Sequence, residues 1–182
     1  MRLKAELYLA AIGQVLIDFV SEHPDIKLDI HLDDRFVDLV EEGFDLAIRV
    51  SRLENSSLIA RKVSDFQVKL CATPAVIEKY GRPKTPHDLS KMPCISDTNG
   101  RWLTNWPFQA PNGDTITVPV SGPLEVNSPA VARAACLSDL GFALIPDFVV
   151  NEDIKAGRLV SLLEDWLHKD SGMFAVYPHR RY

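Results

Sequence analysis

No stretch of this chain approaches the about 20 consecutive apolar residues of a membrane-spanning helix, and no apolar run behind a basic start reads as a secretory signal. Cysteine is scarce. Cys71, Cys94 and Cys136 are odd in number, far apart and each set in apolar sequence, which argues against a disulfide framework or a cysteine metal site and for buried thiols in a reducing, cytoplasmic setting. A redox sensor would need an exposed, electropositive thiolate, and nothing in the sequence speaks for one. Basic charge is not in excess either: 20 Lys+Arg stand against 25 Asp+Glu, a net charge of -5, whereas a surface that grips phosphate backbone needs a concentrated basic face. The short tail His179-Arg180-Arg181 is not such a face. Catalytic patterns are missing too, with no G-x-S-x-G, no phosphate-cradling glycine loop and no H-E-x-x-H. His23, His31, His87, His168 and His179 stand in polar, turn-like or edge contexts, and the pairs Asp33-Asp34 and Glu41-Glu42 read as caps and solvated helix face. The chain is expected not to be an enzyme, and no metal or cofactor is expected.

What is present is an ordinary globular composition, 46% hydrophobic and 25% charged over 182 residues, enough to bury a proper core. Leu9, Ile12, Leu16 and Phe19 mark one face of an opening helix that ends near His23-Pro24. Ile26, Leu28, Ile30 and Leu32 then alternate with polar residues, the pattern of a strand with one wet face. Phe36, Val37, Leu39 and Val40 recur at helical spacing, with Asp33 or Asp34 to cap the start and Gly43 to end it, and Leu46 to Val50 follow as a buried strand. A loop from Ser51 to Ser57 leads to an apolar strand, Phe66 to Thr73. Beyond Pro74 come a short helix near Ala75 to Tyr80 and strands around Cys94 to Asp97, Trp102 to Phe108, Thr115 to Val120 and Leu124 to Val126. Ser128-Pro129 opens a helix that stops at Gly141. Strand Phe142 to Ile145, helix Asp147 to Ala156, strand Leu159 to Leu163 and strand Met173 to Tyr177 complete the chain. The expected class is α/β, in two lobes.

The run RFVDLVEEGFDLAIRV (35–50) resembles the effector-binding domain of LysR-type transcriptional regulators. SSLIARKV (56–63), LCATPAVIEKYGRPKTPHDL (70–89), MPCI (92–95), GFALIPDFVV (141–150), AGRLV (156–160) and AVYPHRRY (175–182) follow in that family's order. No one of these segments is diagnostic; their register is what makes them specific. The resemblance implies a periplasmic-binding-protein type II-like fold, with two α/β subdomains joined by two crossover strands and a ligand cleft between them. Residues 1–72 completed by 173–182 are expected to form subdomain I, and 73–172 subdomain II.

In open α/β sheets ligands sit outside the carboxyl ends of strands, where helix amino termini present free amides. The strand-end residues Arg49, Val50, Ser51, Thr73, Pro74, Ser96, Asp97, Thr98, Asn127, Ser128 and Pro146 are therefore the candidate ligand-binding set, suited to a small polar or anionic molecule. Two readings stay open: Ser128 is also explained by helix capping, and Arg49 by bracing the hinge. Trp102, Trp106 and Phe108 read either as small-lobe core or as an aromatic lid.

The resemblance further implies a small-molecule effector and a homodimer or higher homo-oligomer. DNA is expected to be contacted only through an N-terminal winged helix-turn-helix absent from this chain. It also calls for a strand ahead of the first helix. With only Met1 to Ala5 there, that strand is expected to be missing, leaving a gap between strands 26–33 and 45–50 that a partner chain would fill. The helix that normally follows Pro178-His179-Arg180-Arg181 is expected to be cut at Tyr182. A free-standing solute-binding protein of the same fold is the alternative.

Overall fold

A computed structural model of the chain describes residues 2–5, 10–32, 38–51, 59–98, 103–168 and 172–178, with backbone alone at 2–5, 10–12, 32, 50 and 51. In order run β1 (Arg2–Ala5), α1 (Ala10–Glu22), β2 (Asp29–Leu32), β3 (Leu46–Ser51), β4 (Ile59–Asp65), β5 (Val68–Ala72), α2 (Pro74–Tyr80), a 3-10 turn (Pro86–Lys91), β6 (Pro93–Asp97), β7 (Asn105–Gln109), β8 (Thr115–Pro119), β9 (Ser121–Val126), α3 (Pro129–Leu137), β10 (Phe142–Pro146), α4 (Asp147–Lys155), β11 (Val160–Leu162), a second 3-10 turn (Glu164–Trp166) and β12 (Gly172–Tyr177). The chain forms two compact units, residues 1–65 with 170–182 and residues 66–169.

The first unit holds a mixed sheet in the order β2-β1-β3-β12-β4. Here the structure corrects the expectation of a missing opening strand. Arg2–Ala5 is that strand, parallel to β2 through Leu3↔Ile30 and to β3 through Leu3↔Leu46. Four residues suffice to satisfy both neighbours' backbone groups, so no partner chain is needed in that slot. β4 is an addition, lying between the expected loop Ser51 to Ser57 and the strand expected from Phe66, where the sequence predicts no element. It is an edge strand whose residues are nearly all exposed, and an exposed edge carries no hydrophobic alternation from which to read it.

Between β2 and β3 the expected helix is, among the described residues, a single turn closed by Glu42 N–H on Asp38 O at 3.1 Å. Asp38 caps it, its carboxylate accepting the Val40 and Glu41 amides at 2.9 and 3.2 Å; Asp33 and Asp34 lie outside the described residues. Gly43 ends the turn as expected, at φ 70. Phe44 N–H reaches Leu39 O at 2.8 Å and Gly43 N–H reaches Val40 O at 3.3 Å, the paired bonds of a Schellman stop that needs a left-handed residue. Leu39 and Phe44 are thereby driven into a core with Ala47, Phe174 and Val176.

The second unit is built on a mixed sheet in the order β11-β5-β10-β6-β9 with a separate β7-β8 hairpin. The strand expected over Phe66 to Thr73 belongs here, hydrogen-bonded to β10 and β11. The division between units therefore falls at 65–66, whereas the sequence reading placed it at 72–73. One face of the sheet carries the core that includes Leu70, Leu89, Cys94, Phe142 and the hairpin's Trp106 and Phe108, so these two aromatics are core; Trp102 lies outside the described residues. The other face packs Ile95, Ala143 and Ile145 against Ala132, Ala135 and Cys136 of α3 and Val150 of α4. Gly122 is required on β9, since a Cβ there would stand 1.9 Å from Cys94 O where the β6–β9 register shifts, a close approach that only glycine allows.

Candidate functional site

Strand direction sorts the expected site residues. β6 runs parallel to β10 through Phe142↔Cys94 and Ala143↔Ile95, and parallel to β9 through Asp97↔Val126. Ser96, Asp97, Thr98, Asn127, Ser128 and Pro146 therefore gather at one end of the second sheet. β5 runs the other way, pairing Cys71 with Ala143 and Val68 with Pro146. Its carboxyl end, Thr73 and Pro74, lies at the opposite end of the sheet, about 16 Å away along strands that rise ~3.3 Å per residue. The expectation that all these residues converge fails for this pair because the rule of carboxyl ends assumes parallel strands. In place of Thr73 and Pro74 the gathered end holds Gln67 and Val68, which sequence reasoning missed. Only the antiparallel pairing reveals them.

At the far end Thr73 has a structural task. It is the N-cap of α2, its hydroxyl accepting the Val76 amide at 3.3 Å, and it donates a short hydrogen bond to Asp139, which is itself at φ 62. At the gathered end Asp97 and Asn127 are engaged. Ser96 is 3% exposed. Thr98 N–H is held by Val126 O at 2.7 Å, which pins the two strand ends together. Ser128 is the N-cap residue of α3 by backbone, its carbonyl accepting the Ala132 amide at 2.9 Å, yet its side chain makes no cap hydrogen bond. Capping therefore does not consume the Ser128 hydroxyl. Pro146 stands at the N-cap of α4, where Asp147 turns its carboxylate onto the Phe148 amide at 2.8 Å. In the first unit Arg49, Val50 and Ser51 close β3 opposite Phe174, Met173 and Gly172. Arg49 is half-buried and engaged; the side chains of Val50 and Ser51 lie outside the described residues.

The second unit carries two other polar features. A depression of about 230 Å³ has Gln67, Val68, Lys69, Glu164 and His168 in its lining, smaller than the roughly 300–1,000 Å³ usual for organic ligands. Its Lys69 and Glu164 stand 3.7 Å apart. The Glu164 carboxyl is held below its ordinary range by the Ser161 hydroxyl first, and then by Lys69. Asp153 of α4 is fully buried between Arg133 and Arg158, accepting Arg133 Nε at 2.5 Å and Arg158 Nε at 2.8 Å. Arg133, and then Arg158, hold its carboxyl low against the opposing effect of desolvation. This trio ties α3 to the end of α4. Among the described residues no cluster of His, Cys, Asp and Glu has the makings of a metal site, and no helix is long and apolar enough to cross a membrane.

Comparison with known proteins gives one consistent answer. The family model of the LysR substrate binding domain matches residues 7–182. The transcriptional regulator PtxR of Pseudomonas aeruginosa is 33% identical over 171 residues, which are 94% of this chain and 54% of that protein. The regulator DmlR of Escherichia coli is 33% identical over 170 residues, 93% of this chain and 55% of that protein. The chain thus spans about half the length of the curated relatives it matches. Among solved structures, the regulatory domain of AphB from Vibrio vulnificus superposes with a TM-score of 0.81 at 26% identity, covering 100% of this chain and 91% of that one. The CrgA regulatory domain from Neisseria meningitidis gives 0.78 at 25% identity, covering 98% and 88%.

Proposed function

The chain belongs to the LysR substrate-binding domain family, with its periplasmic-binding-protein type II-like fold, and from that premise we propose that it is the effector-sensing part of a cytoplasmic transcription regulator. The effector is a small polar molecule held at the gathered strand ends by Ser96, Thr98, Asn127 and Ser128, with Pro146 and the start of α4 beside it. Arg49, Val50 and Ser51 are the first unit's ligand contacts, and Arg49 is the cation that an anionic effector would use. The sensing role is non-enzymatic, and DNA contact belongs to another part of the full regulator. The observation that carries the reading is the gathering of a buried serine, a cap serine whose hydroxyl the helix does not use, and two helix starts at one sheet end.

Self-association is part of the same proposal. Val15 and Ile17, on different sides of α1, are 63% and 59% exposed and Ile30 on the edge strand β2 is 41% exposed, apolar side chains that a second copy of the chain would take out of water.

A thermal-shift screen of small carboxylates, amino acids and aromatic acids tests the sensor reading, because a molecule that prefers the folded state raises the melting temperature by mass action. A hit whose shift is lost in S96A or N127A is expected. A screen flat across all three classes, or a hit indifferent to both variants, removes the sensor at this site.

A further inference from the structure

β4 ends at Asp65, paired in the first sheet with Gly172, and β5 begins at Val68, paired in the second with Pro146. Phe66 and Gln67 are all that lies between them. Neither is a loose link. Phe66 is 7% exposed, and its ring meets that of Phe148 edge-on, with centroids 5.9 Å apart and planes at 73°. The Gln67 carbonyl accepts the Asp147 N–H at 2.8 Å. Both holds are made by the first turn of α4, directly after Pro146. Phe148 keeps 39% of its surface in water, although a polar residue in a first helical turn would serve the helix as well and leave no apolar surface wet. What the phenyl ring adds is the grip on the passage.

We infer that Phe148 is a positioning residue that ties the start of α4 to the Phe66–Gln67 passage, so that a movement of that first turn re-aims the chain where it leaves the first sheet. This rests on reading the Pro146 end as the effector end: a molecule lodged there pushes on α4 at the turn that holds the passage. A two-residue link clamped by both its side chain and its carbonyl has few dihedral angles with which to absorb such a push, so the displacement passes on to β4.

The test uses the ligand-free chain. Cys71, Cys94 and Cys136 are 0% exposed, so spin labels placed through S21C on α1 and K79C on α2 attach to those two sites alone, and double electron–electron resonance reads the distribution of distances between the units. F148A is expected to broaden that distribution about twofold through freed hinge dihedrals, and F148Y, which keeps the ring, to restore the parent width. An F148A distribution as narrow as the parent's, or an F148Y one as broad as F148A's, overturns the inference. If F148A does not fold, F148L is read by the same measure, broadening in favour and parent width against. Because no ligand is present, a flat ligand screen removes the effector reading alone, and unchanged distances remove the coupling alone.

Discussion

Asp153 shows how a charge is kept inside this protein. Its carboxylate is 0% exposed, while Arg133 and Arg158 remain 38% and 55% exposed and reach in to hydrogen-bond it. The arginines stay hydrated, so the penalty of burial falls on the carboxylate and is offset by its charged partners. D153N is expected to cost about 2–3 kcal/mol in urea unfolding, below the full value of a broken buried pair because the guanidinium groups keep their water. The native carboxyl titrates below its ordinary value of 3.8, so the unfolded chain takes up protons first on acidification. The advantage of the parent over D153N is therefore full above about pH 4 and fades as pH falls through the depressed native value; a difference independent of pH between 2 and 6 would contradict the ion-pair account. The thiols behave oppositely. Burial pushes Cys94 up to about 12, and Cys71 is pushed up by its contact with the Cys136 thiol and then by burial. No native cysteine is expected to react with Ellman's reagent at pH 8, whereas all three do after unfolding; a fast native thiol would reopen the sensor reading that the sequence argues against.

At the scale of elements, two residues that look alike in sequence part company. Ser128-Pro129 reads as a hydroxyl cap followed by proline at the first helical position, and Thr73-Pro74, expected only as a strand end, has the same pair of residue types. The structure gives Thr73 a formed cap on Val76 and a bond to Asp139, and gives the Ser128 side chain no cap bond. T73A is expected to lose about 1–2 kcal/mol, a typical price for an N-cap, and S128A less than about 0.5 kcal/mol. Urea denaturation of the two variants checks this. Equal losses would mean that Ser128 is a cap after all and would weaken its candidacy as a ligand contact. Neither outcome was legible in the sequence, because whether a cap hydroxyl turns inward to the helix or outward depends on what packs beside it. The same holds for β5: its apolar run is plain, but its direction relative to β10 is a property of the assembled sheet, and that direction moved Thr73 out of the site and Gln67 into its vicinity.

For the molecule as a whole, the apolar residues left in water on α1 and β2 lead to an association state. Light scattering at micromolar concentration is expected to give the mass of a dimer for the parent chain and of one subunit for V15D/I17D, since two desolvated charges are intolerable in an interface core; a monomeric parent would discard self-association. What the sequence by itself determined is the family, the α/β class, the stop at Gly43 and the burial of the cysteines, all set by residues within a few positions of one another or by a register of motifs along the chain. Only the tertiary structure decided that Arg2–Ala5 completes the first sheet, that β5 belongs to the second, and which strand ends meet. Those outcomes depend on hydrogen bonds between segments far apart in sequence, and a strand's own residues carry its hydrophobic pattern but not the identity or direction of its neighbour.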